Sequence, residues 1–294
     1  MTGPSGQVTT VDIDPEVTTQ ARQNLDATGY VQVQVITRDG ALGAEEYGPY
    51  DRVIVTVGAW DIPSTWWNQL ASGGRLVVPL RWRSQTRSIA FVHEGDRMRS
   101  DSLELCGFVP MISQDEGGEH TGHIDPEDQV ALYFDADQHI NPVTLIGILT
   151  QPKTEAWSGV TVAANESFDG IWLRLASTEP GTCRLAADPA AVDVGLCTPA
   201  VPARTPGVVE DDSLAYFALR RDENATEPRW ELGAYGHGHG GAELANRICK
   251  QIQAWGSNRN AQPVVTLSPA STPHLPSPGT FVIGKRDSQI VLSW

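Results

Sequence analysis

The sequence predicts an α/β protein in which a parallel sheet flanked by helices forms the first part of the chain and an α+β region follows. Over roughly the first eighty residues, β-branched runs alternate with helical segments, the order typical of a parallel sheet. Strands then follow one another directly, as in an antiparallel finish to an open sheet. A polar, acidic stretch at 113–128 predicts a linker between a domain at 1–112 and a second domain at 129–294.

The composition fits a folded protein and narrows the partners it can have. The chain has 294 residues, of which 40% are hydrophobic and 19% charged, so it suits two domains and does not resemble a disordered protein. Its 21 Lys and Arg against 36 Asp and Glu give a net charge of −15. Such an acidic surface repels phosphate backbones, so we expect no nucleic-acid partner.

The cysteine spacing and the lack of long apolar runs predict a cytoplasmic protein. Cys106, Cys183, Cys197 and Cys249 form no CxxC pair, so we expect reduced thiols and no metal site. The first residues, MTGPSGQ, do not have the pattern of a signal peptide. No apolar run approaches the roughly 20 residues needed to span a bilayer, so we expect no membrane partner.

The first predicted elements are a strand at 8–11 and the helix that follows it. Asp14 is placed to cap this helix, and Pro15 stands at its first position, where a missing N–H has no cost. The helix runs to about Ala27, and Gly29 ends it. The other elements predicted in this half are strands at 31–36, 51–56, 75–80, 88–93 and 103–111, and a helix at 63–70.

The second half predicts a mixture of helices and antiparallel strands. We expect helices at 142–149 and 242–255, strands at 159–162 and 170–176, a Pro-rich loop at 189–206, paired strands at 214–220 and 229–235, and a hairpin of 280–283 with 290–294. The aromatic residues of this region either form its core or grip a peptide, and the sequence leaves both open. They are Trp157, Trp172, Tyr216, Trp230 and Tyr235.

Candidate site residues follow from where each early strand ends. Ligands of open α/β sheets bind at the carboxyl ends of the strands, which here carry Asp12, Asp39–Gly40 and the segment from Thr56 to Ala59. An acid ending such a strand commonly accepts hydrogen bonds from ribose hydroxyls, and we favour that role for Asp12 over a simple turn. Asp39 beside a glycine suits a close-packed adenine ring, although an ordinary Asp-Gly turn explains it equally well.

Two further groups of residues, a histidine pair and a tryptophan group, each have a functional and a purely structural interpretation. His237 and His239 precede the helix at 242–255, but two histidines are half a zinc site, so a turn at the helix start is the better interpretation. Trp60, Trp66 and Trp67 either line a peptide groove or pack against the sheet.

Three segments taken together resemble the protein-L-isoaspartate O-methyltransferase family in order and spacing. They are GQVTTVDIDPEVTTQARQNLDATGY, VQVQVITRDGALG and YGPYDRVIVTVGAWDIPSTWWNQLASGGRLVVPL, with GFVPM as the closing strand. The resemblance covers residues 3–112. It implies a Rossmann-like methyltransferase that uses S-adenosylmethionine.

The resemblance also assigns roles to individual residues. It implies that Asp12 binds the cofactor ribose and that Asp39 and Gly40 flank the adenine. It places Thr56, Gly58 and Ala59 toward the methyl-transfer cleft. The implied substrate is a protein or peptide bearing an aspartyl or isoaspartyl carboxylate.

The sequence departs from the family pattern at both ends. The family's Gly-rich first turn and its active-site Ser/Thr region normally precede the 3–6 turn, where this sequence starts, so we expect a truncated sheet without its first strand. Either a misassigned start codon or a remnant gene would explain this. That strand lies between those ending at Asp12 and Thr56, and we expect the first 112 residues to fold poorly and to lack activity without it. About 180 residues follow Met111, as in a long form associated with lanthipeptide clusters, whose substrate is a ribosomally made peptide.

The predicted function is therefore a carboxyl O-methyltransferase, with residues 129–294 recognising the substrate. The alternative is a catalytically degenerate protein that binds peptides but has no complete cofactor site. A nicotinamide-dependent oxidoreductase shares the acidic residue at Asp12, but it predicts neither Asp39–Gly40 nor the 108–111 segment, and it ranks last.

Overall fold

The computed structural model describes residues 2–3, 5–275 and 277–294, with the backbone alone for 115–117. Met1 and Pro4, which belong to the predicted start and opening turn, lie outside the described residues. The α-helices within this part of the chain are α1 (Pro15–Ala27), α2 (Ser64–Gln69), α3 (Asp169–Thr178), α4 (Pro189–Asp193) and α5 (Gly241–Ser257).

The strands number sixteen over the same residues. They are β1 (Thr9–Asp12), β2 (Gln34–Thr37), β3 (Tyr50–Ile54), β4 (Leu70–Trp82), β5 (Gln85–Glu94), β6 (Arg97–Leu105), β7 (Glu119–His123), β8 (Val130–Asp135), β9 (Thr154–Ala163), β10 (Thr182–Ala187), β11 (Thr205–Glu210), β12 (Ser213–Arg221), β13 (Arg229–His237), β14 (Val264–Pro269), β15 (Thr280–Gly284) and β16 (Ser288–Ser293).

The first part of the chain has the predicted α/β character. β1 pairs with β2 and β3 pairs with β4, both in parallel, and β4, β5 and β6 then continue antiparallel. Asp14 caps α1 by accepting a hydrogen bond from the backbone N–H of Glu16, with Pro15 in the first turn. The parallel start and antiparallel finish are therefore confirmed.

The parallel strands do not form one continuous sheet. Among the described strands, β1 pairs only with β2, and β3 pairs only with β4. β1 and β3 instead line the two sides of one cavity.

The last three strands, β14 to β16, belong to the same sheet as β3 to β6, which we call the first sheet. The order of this sheet is β15-β16-β14-β6-β5-β4-β3, so the final hairpin and β14 extend it beyond β6. The segment predicted as a linker at 113–128 contains β7, which pairs with β8. The division into 1–112 and 129–294 therefore does not follow the sheets, because strand pairing between β6 and β14 is not visible in local sequence patterns.

The second sheet has the order β7-β8-β10-β11-β12-β13-β9, and its described strands pair antiparallel. α5 packs on it through Leu244, Ile248 and Ile252. α3 lies between the two sheets: Leu173 and Ala176 belong to the core of the first sheet, whereas Ile171 and Leu175 belong to that of the second.

Several local predictions were wrong, each for a physical reason. The segment at 170–176 is part of helix α3 and not a strand, because a helix buried on two sides shows a continuous apolar run like a strand. The helix predicted at 142–149 is a pair of 3-10 turns, Pro142–Leu145 and Ile148–Thr150. The strand predicted at 103–111 ends at Leu105, and the segment after it is irregular.

Candidate functional site

A cavity of about 540 Å³ lies between β1 and β3. The carboxyl end of β1, the loop after β2, β3 with the residues after it, and the 109–113 segment surround it. Its lining includes Asp12, Asp14, Val17, Asp39, Gly40, Arg52, Thr56, Val57, Trp66, Gln69, Val109 and Met111. The cavity therefore brings the ends of three strands together, as expected for a ligand site in an open α/β sheet.

Asp12 stands at the end of β1, where the chain turns into α1. Its Oδ1 accepts a hydrogen bond from the backbone N–H of Asp14 at 2.9 Å, and its side chain is half-buried. Among the described residues, no hydrogen bond is made to its second oxygen. The carboxylate is thus held by its own turn and retains an acceptor that a ligand hydroxyl can use.

Asp39 and Gly40 form the opposite side of the cavity. Asp39 accepts a hydrogen bond from the N–H of Ala41 at 2.8 Å and so caps a 3-10 turn. The Gly40 carbonyl accepts a bond from Trp66 Nε1 at 2.9 Å. A β-carbon on Gly40 would lie 3.5 Å from Met111 Cε, in ordinary contact. The backbone at Gly40 is therefore fixed by α2.

The loop that carries Asp39 is braced by polar side chains on both sides. Gln69 accepts from the Ala44 N–H at 2.9 Å and donates to the Leu42 carbonyl at 2.8 Å. Gly43 has a φ of +62°, and a β-carbon there would overlap the Gln69 side chain. Arg38 pairs with Glu46, which raises the pKa of the Arg38 guanidinium and lowers that of the Glu46 carboxyl.

Thr56, Gly58 and Ala59 are not all at the cavity. Thr56 is exposed and lines it together with Val57. Gly58 and Ala59 are buried and do not line it, and their place toward the methyl-transfer cleft stays a prediction. Their backbone N–H groups form hydrogen bonds with neighbouring segments. The Gly58 N–H donates to the Val109 carbonyl at 2.7 Å, and the Ala59 N–H donates to the Pro79 carbonyl at 2.8 Å.

Sequence reasoning missed several wall residues of the cavity. Gln69 and Arg52 were not singled out, because a lone polar residue in a helix or strand carries no pattern that marks a site. Met111 was quoted only as part of the closing strand. Trp66 packs in the core of the sheet, which is one of the two interpretations that the sequence left open, and it also lines the cavity.

The other candidates lie away from this cavity. His237 is buried, its ring stacks on Tyr216 with centroids 5.8 Å apart, and burial lowers its pKa. Tyr216 is fully buried, and Trp172, Trp230 and Tyr235 pack against core clusters. These aromatics line neither of the two described cavities, so their role in the core is the interpretation the structure favours.

The four cysteines are free thiols, and three of them are buried. Burial raises the pKa of Cys183 to about 12 and those of Cys197 and Cys249 to about 11. Within the described residues, no group of three or more His, Cys, Asp or Glu is arranged to hold a metal ion. In the same residues, no helix has both the length and the apolar character needed to cross a membrane.

The first part of the chain is similar to known proteins. Residues 1–116 match the family model Protein-L-isoaspartate(D-aspartate) O-methyltransferase (PCMT). A protein-L-isoaspartate O-methyltransferase of Staphylothermus marinus is 40% identical over 112 residues, which are 37% of this chain and 49% of the relative. The corresponding protein of Methanothrix thermoacetophila is 38% identical over 114 residues, 39% of this chain and 53% of the relative.

Two solved structures are also similar. One, titled protein-L-isoaspartate O-methyltransferase, has a TM-score of 0.37 and 15% identity, covering 98% of this chain and 68% of the other. A putative enzyme of the same type from Plasmodium falciparum, in complex with S-adenosyl-L-homocysteine, has a TM-score of 0.33 and 17% identity, covering 36% of this chain and 52% of the other. The chain spans about half the length of the curated relatives it matches.

Proposed function

The resemblance to the protein-L-isoaspartate O-methyltransferase family is confirmed over residues 1–116, and from this premise we propose that the protein is an S-adenosylmethionine-dependent carboxyl O-methyltransferase. Its substrate is an aspartyl or isoaspartyl residue of a protein or peptide. The observation that carries the proposal is the single cavity that brings Asp12, Asp39–Gly40 and Thr56 together. All of these residues lie in the segment that matches the family.

The residues of the cavity fit the chemistry of this cofactor. Asp12 offers a carboxylate to ribose hydroxyls, and Asp39 with Gly40 forms a narrow wall suited to the edge of an adenine ring. Val11, Val17 and Met111 add apolar surface to the lining of the cavity. When bound, S-adenosylmethionine supplies an electrophilic methyl group.

The protein's own contribution is to bind and align its ligands, without a proton transfer. A substrate carboxyl group is already ionised at neutral pH, so no general base is needed. Holding the acceptor in line and excluding water supplies a large part of the rate enhancement in such a reaction. Thr56 and Val57 line the cavity, and in this proposal they limit the approach of the carboxylate.

The finer assignments extend this proposal. Similarity to the long form of the family suggests that the substrate is a ribosomally made peptide from a lanthipeptide cluster. The free thiols are consistent with a cytoplasmic location.

The alternative function is a peptide-binding protein without methyl transfer. The break between β1 and β3 favours it, because these two strands belong to separate sheets and share no strand pairing beside the cavity. Under this alternative the protein binds peptides but not S-adenosylhomocysteine.

A transfer assay separates the two functions. The protein is incubated with methyl-labelled S-adenosylmethionine and either an isoaspartyl peptide or an Asp-containing cyclic peptide, and base-labile label in the peptide is counted. We expect labelling of at least one peptide class when the chain carries the family's first strand, because no activity is expected without that strand. Binding of S-adenosylhomocysteine is measured in parallel by calorimetry. Peptide binding without label and without cofactor binding would establish the alternative.

A further inference from the structure

A second cavity, of about 590 Å³, adjoins the first. Residues from four separate segments line it. They are Trp60 and Asp61, Ile112 to Gln114, Ala136 and Asp137, and Gly284 to Arg286. The last two groups lie outside residues 1–116, so the part of the chain that matches the family does not build this cavity alone.

The two cavities share a wall. Ile112 and Ser113 line both, and both residues are exposed. Ile112 is 63% exposed, so its apolar side chain is accessible to a ligand. A bound peptide that extends from the first cavity past Ser113 would therefore enter the second cavity and contact the apolar side chain of Ile112.

A buried carboxylate fixes the C-terminal side of the second cavity. Asp61 is 6% exposed, and its Oδ2 accepts a hydrogen bond from the Asp287 N–H at 2.6 Å. Its Oδ1 accepts from Ser288 Oγ at 2.6 Å and from the Ile62 N–H at 2.7 Å. Through these hydrogen bonds, Asp61 holds the turn between β15 and β16 against the residues that follow β3.

The same segment is held from the other side by Gln114. Its Oε1 accepts from the Trp60 N–H at 2.7 Å, and its Nε2 donates to the Asp61 carbonyl at 3.1 Å. Lys285 Nζ pairs with Asp137 at 2.5 Å across the cavity wall, with only 6% of the lysine side chain exposed. The wall therefore combines a fixed ion pair, a hydroxyl and apolar surface.

We propose that the second cavity binds the peptide segment that flanks the target carboxyl group, a deepening that rests on the function proposed above. The occupant is an extended peptide. Its amide groups meet polar partners at Ser113 and along the β15–β16 turn, and a flanking side chain rests on Ile112. The C-terminal hairpin thereby sets which peptides are accepted, and a volume of about 590 Å³ is within the range of ligand pockets.

Gly284 allows the cavity to be filled without straining the fold. It lines the cavity, and a β-carbon added there meets no atom within 4 Å. Gly107 is a matched control, because a β-carbon there also meets nothing within 4 Å, whereas Gly107 lines neither cavity. Both positions are exposed.

The experiment compares Gly284→Trp and Gly107→Trp with the unaltered protein. A fluorescein-labelled isoaspartyl peptide is titrated by anisotropy, S-adenosylhomocysteine by calorimetry, and folding is followed by thermal melting. We expect Gly284→Trp to lose about tenfold or more in peptide affinity, with cofactor affinity and melting unchanged. Gly107→Trp should match the unaltered protein in all three measurements.

The outcomes separate this inference from the proposed function. Unchanged peptide affinity in a folded Gly284→Trp variant overturns the inference, even if the peptide is methylated. Loss of peptide binding in that variant supports it, even if no methyl transfer is detected in the unaltered protein. If Gly284→Trp melts early, the milder Gly284→Leu is used with Gly107→Leu and the same criterion. An unaltered protein that binds no isoaspartyl peptide also overturns the inference.

Discussion

Asp12 and Asp61 are both carboxylates near the ends of strands, but their surroundings give them different tasks. Asp61 is buried and accepts three hydrogen bonds, so its acceptor capacity is used inside the protein. Asp12 is half-buried, with one oxygen engaged by its own turn. Asp61 therefore stabilises the fold, whereas Asp12 is suited to bind a ligand.

Replacing Asp12 tests this difference. We expect Asp12→Ala to weaken S-adenosylhomocysteine binding by about tenfold or more, because a charge-assisted hydrogen bond contributes roughly 1.5–3 kcal/mol. Calorimetry measures the affinity. Asp26→Ala, at the far end of α1 and exposed, is the control and should bind normally. Equal affinity of Asp12→Ala and the unaltered protein would remove the ribose assignment.

Asp61 is expected to affect stability. Asp61→Ala leaves the Asp287 N–H and the Ser288 hydroxyl without their acceptor, and each such buried group costs roughly 1–3 kcal/mol. Urea denaturation should therefore show a clear loss of unfolding free energy. Ser288→Ala removes only one of these donors and should cost less. An Asp61→Ala variant as stable as Ser288→Ala would contradict the assigned role.

His237 predicts a pH dependence of stability. Its pKa in the folded protein is lowered, chiefly by burial, from an ordinary value of 6.5. The unfolded chain then binds the proton more readily, so stability is full above pH about 6.5 and falls as the pH drops toward the folded-state pKa. Urea midpoints across this window should show the loss. His237→Phe should flatten the slope, and a slope that persists in this variant would assign the effect to another group.

At the scale of elements, local chemistry predicted most of the N-terminal half. Asp14 and Pro15 fix the start of α1, and the helix ends at Ala27 as expected. α3 was mistaken for a strand because its neighbours on both sides are apolar, which only the tertiary structure reveals. Asp12, Asp39 and Gly40, which line the candidate cavity, could be named from the strand ends alone. Gly58 bridges to Pro110 and Ala59 bridges to Leu80, and no local sequence pattern shows these bridges.

The approach of β13 to α5 depends on two glycines. A β-carbon on Gly236 would overlap the Gly241 carbonyl, and one on Gly241 would collide with the Gly236 backbone. We expect Gly236→Ala to lower the unfolding free energy by about 1–3 kcal/mol, as overpacking does. Denaturant unfolding measures this change. Gly107→Ala, in open space, is the control, and an equal effect of both substitutions would refute a close-packing role.

At the scale of the whole molecule, the two sheets are tied together by polar contacts as well as by α3. Arg87, which is nearly fully buried, pairs with Asp169 at the start of α3 at 2.8 Å. Arg83 donates hydrogen bonds to the carbonyls of Ala176 and Ser177 near the C-terminal end of α3, both at 3.0 Å. The hairpin between β4 and β5 thus holds α3 at both of its ends. A chain cut within 113–128 would lose these partners, and it would lose β14 to β16 as well.

The last three strands should therefore stabilise the first sheet. Leu267 of β14 is fully buried in one core with Leu76 of β4 and Ile89 of β5. Leu267→Ala is expected to cost about 2–5 kcal/mol. Hydrogen exchange should show that β4, β5 and β14 lose protection together, because the cavity opens in their common core. Leu214→Ala, in the core of the second sheet, is the control and should first expose β11 and β12. If Leu267→Ala left β4 and β5 fully protected while β14 exchanged, the chain would instead divide at 113–128, as local sequence predicted.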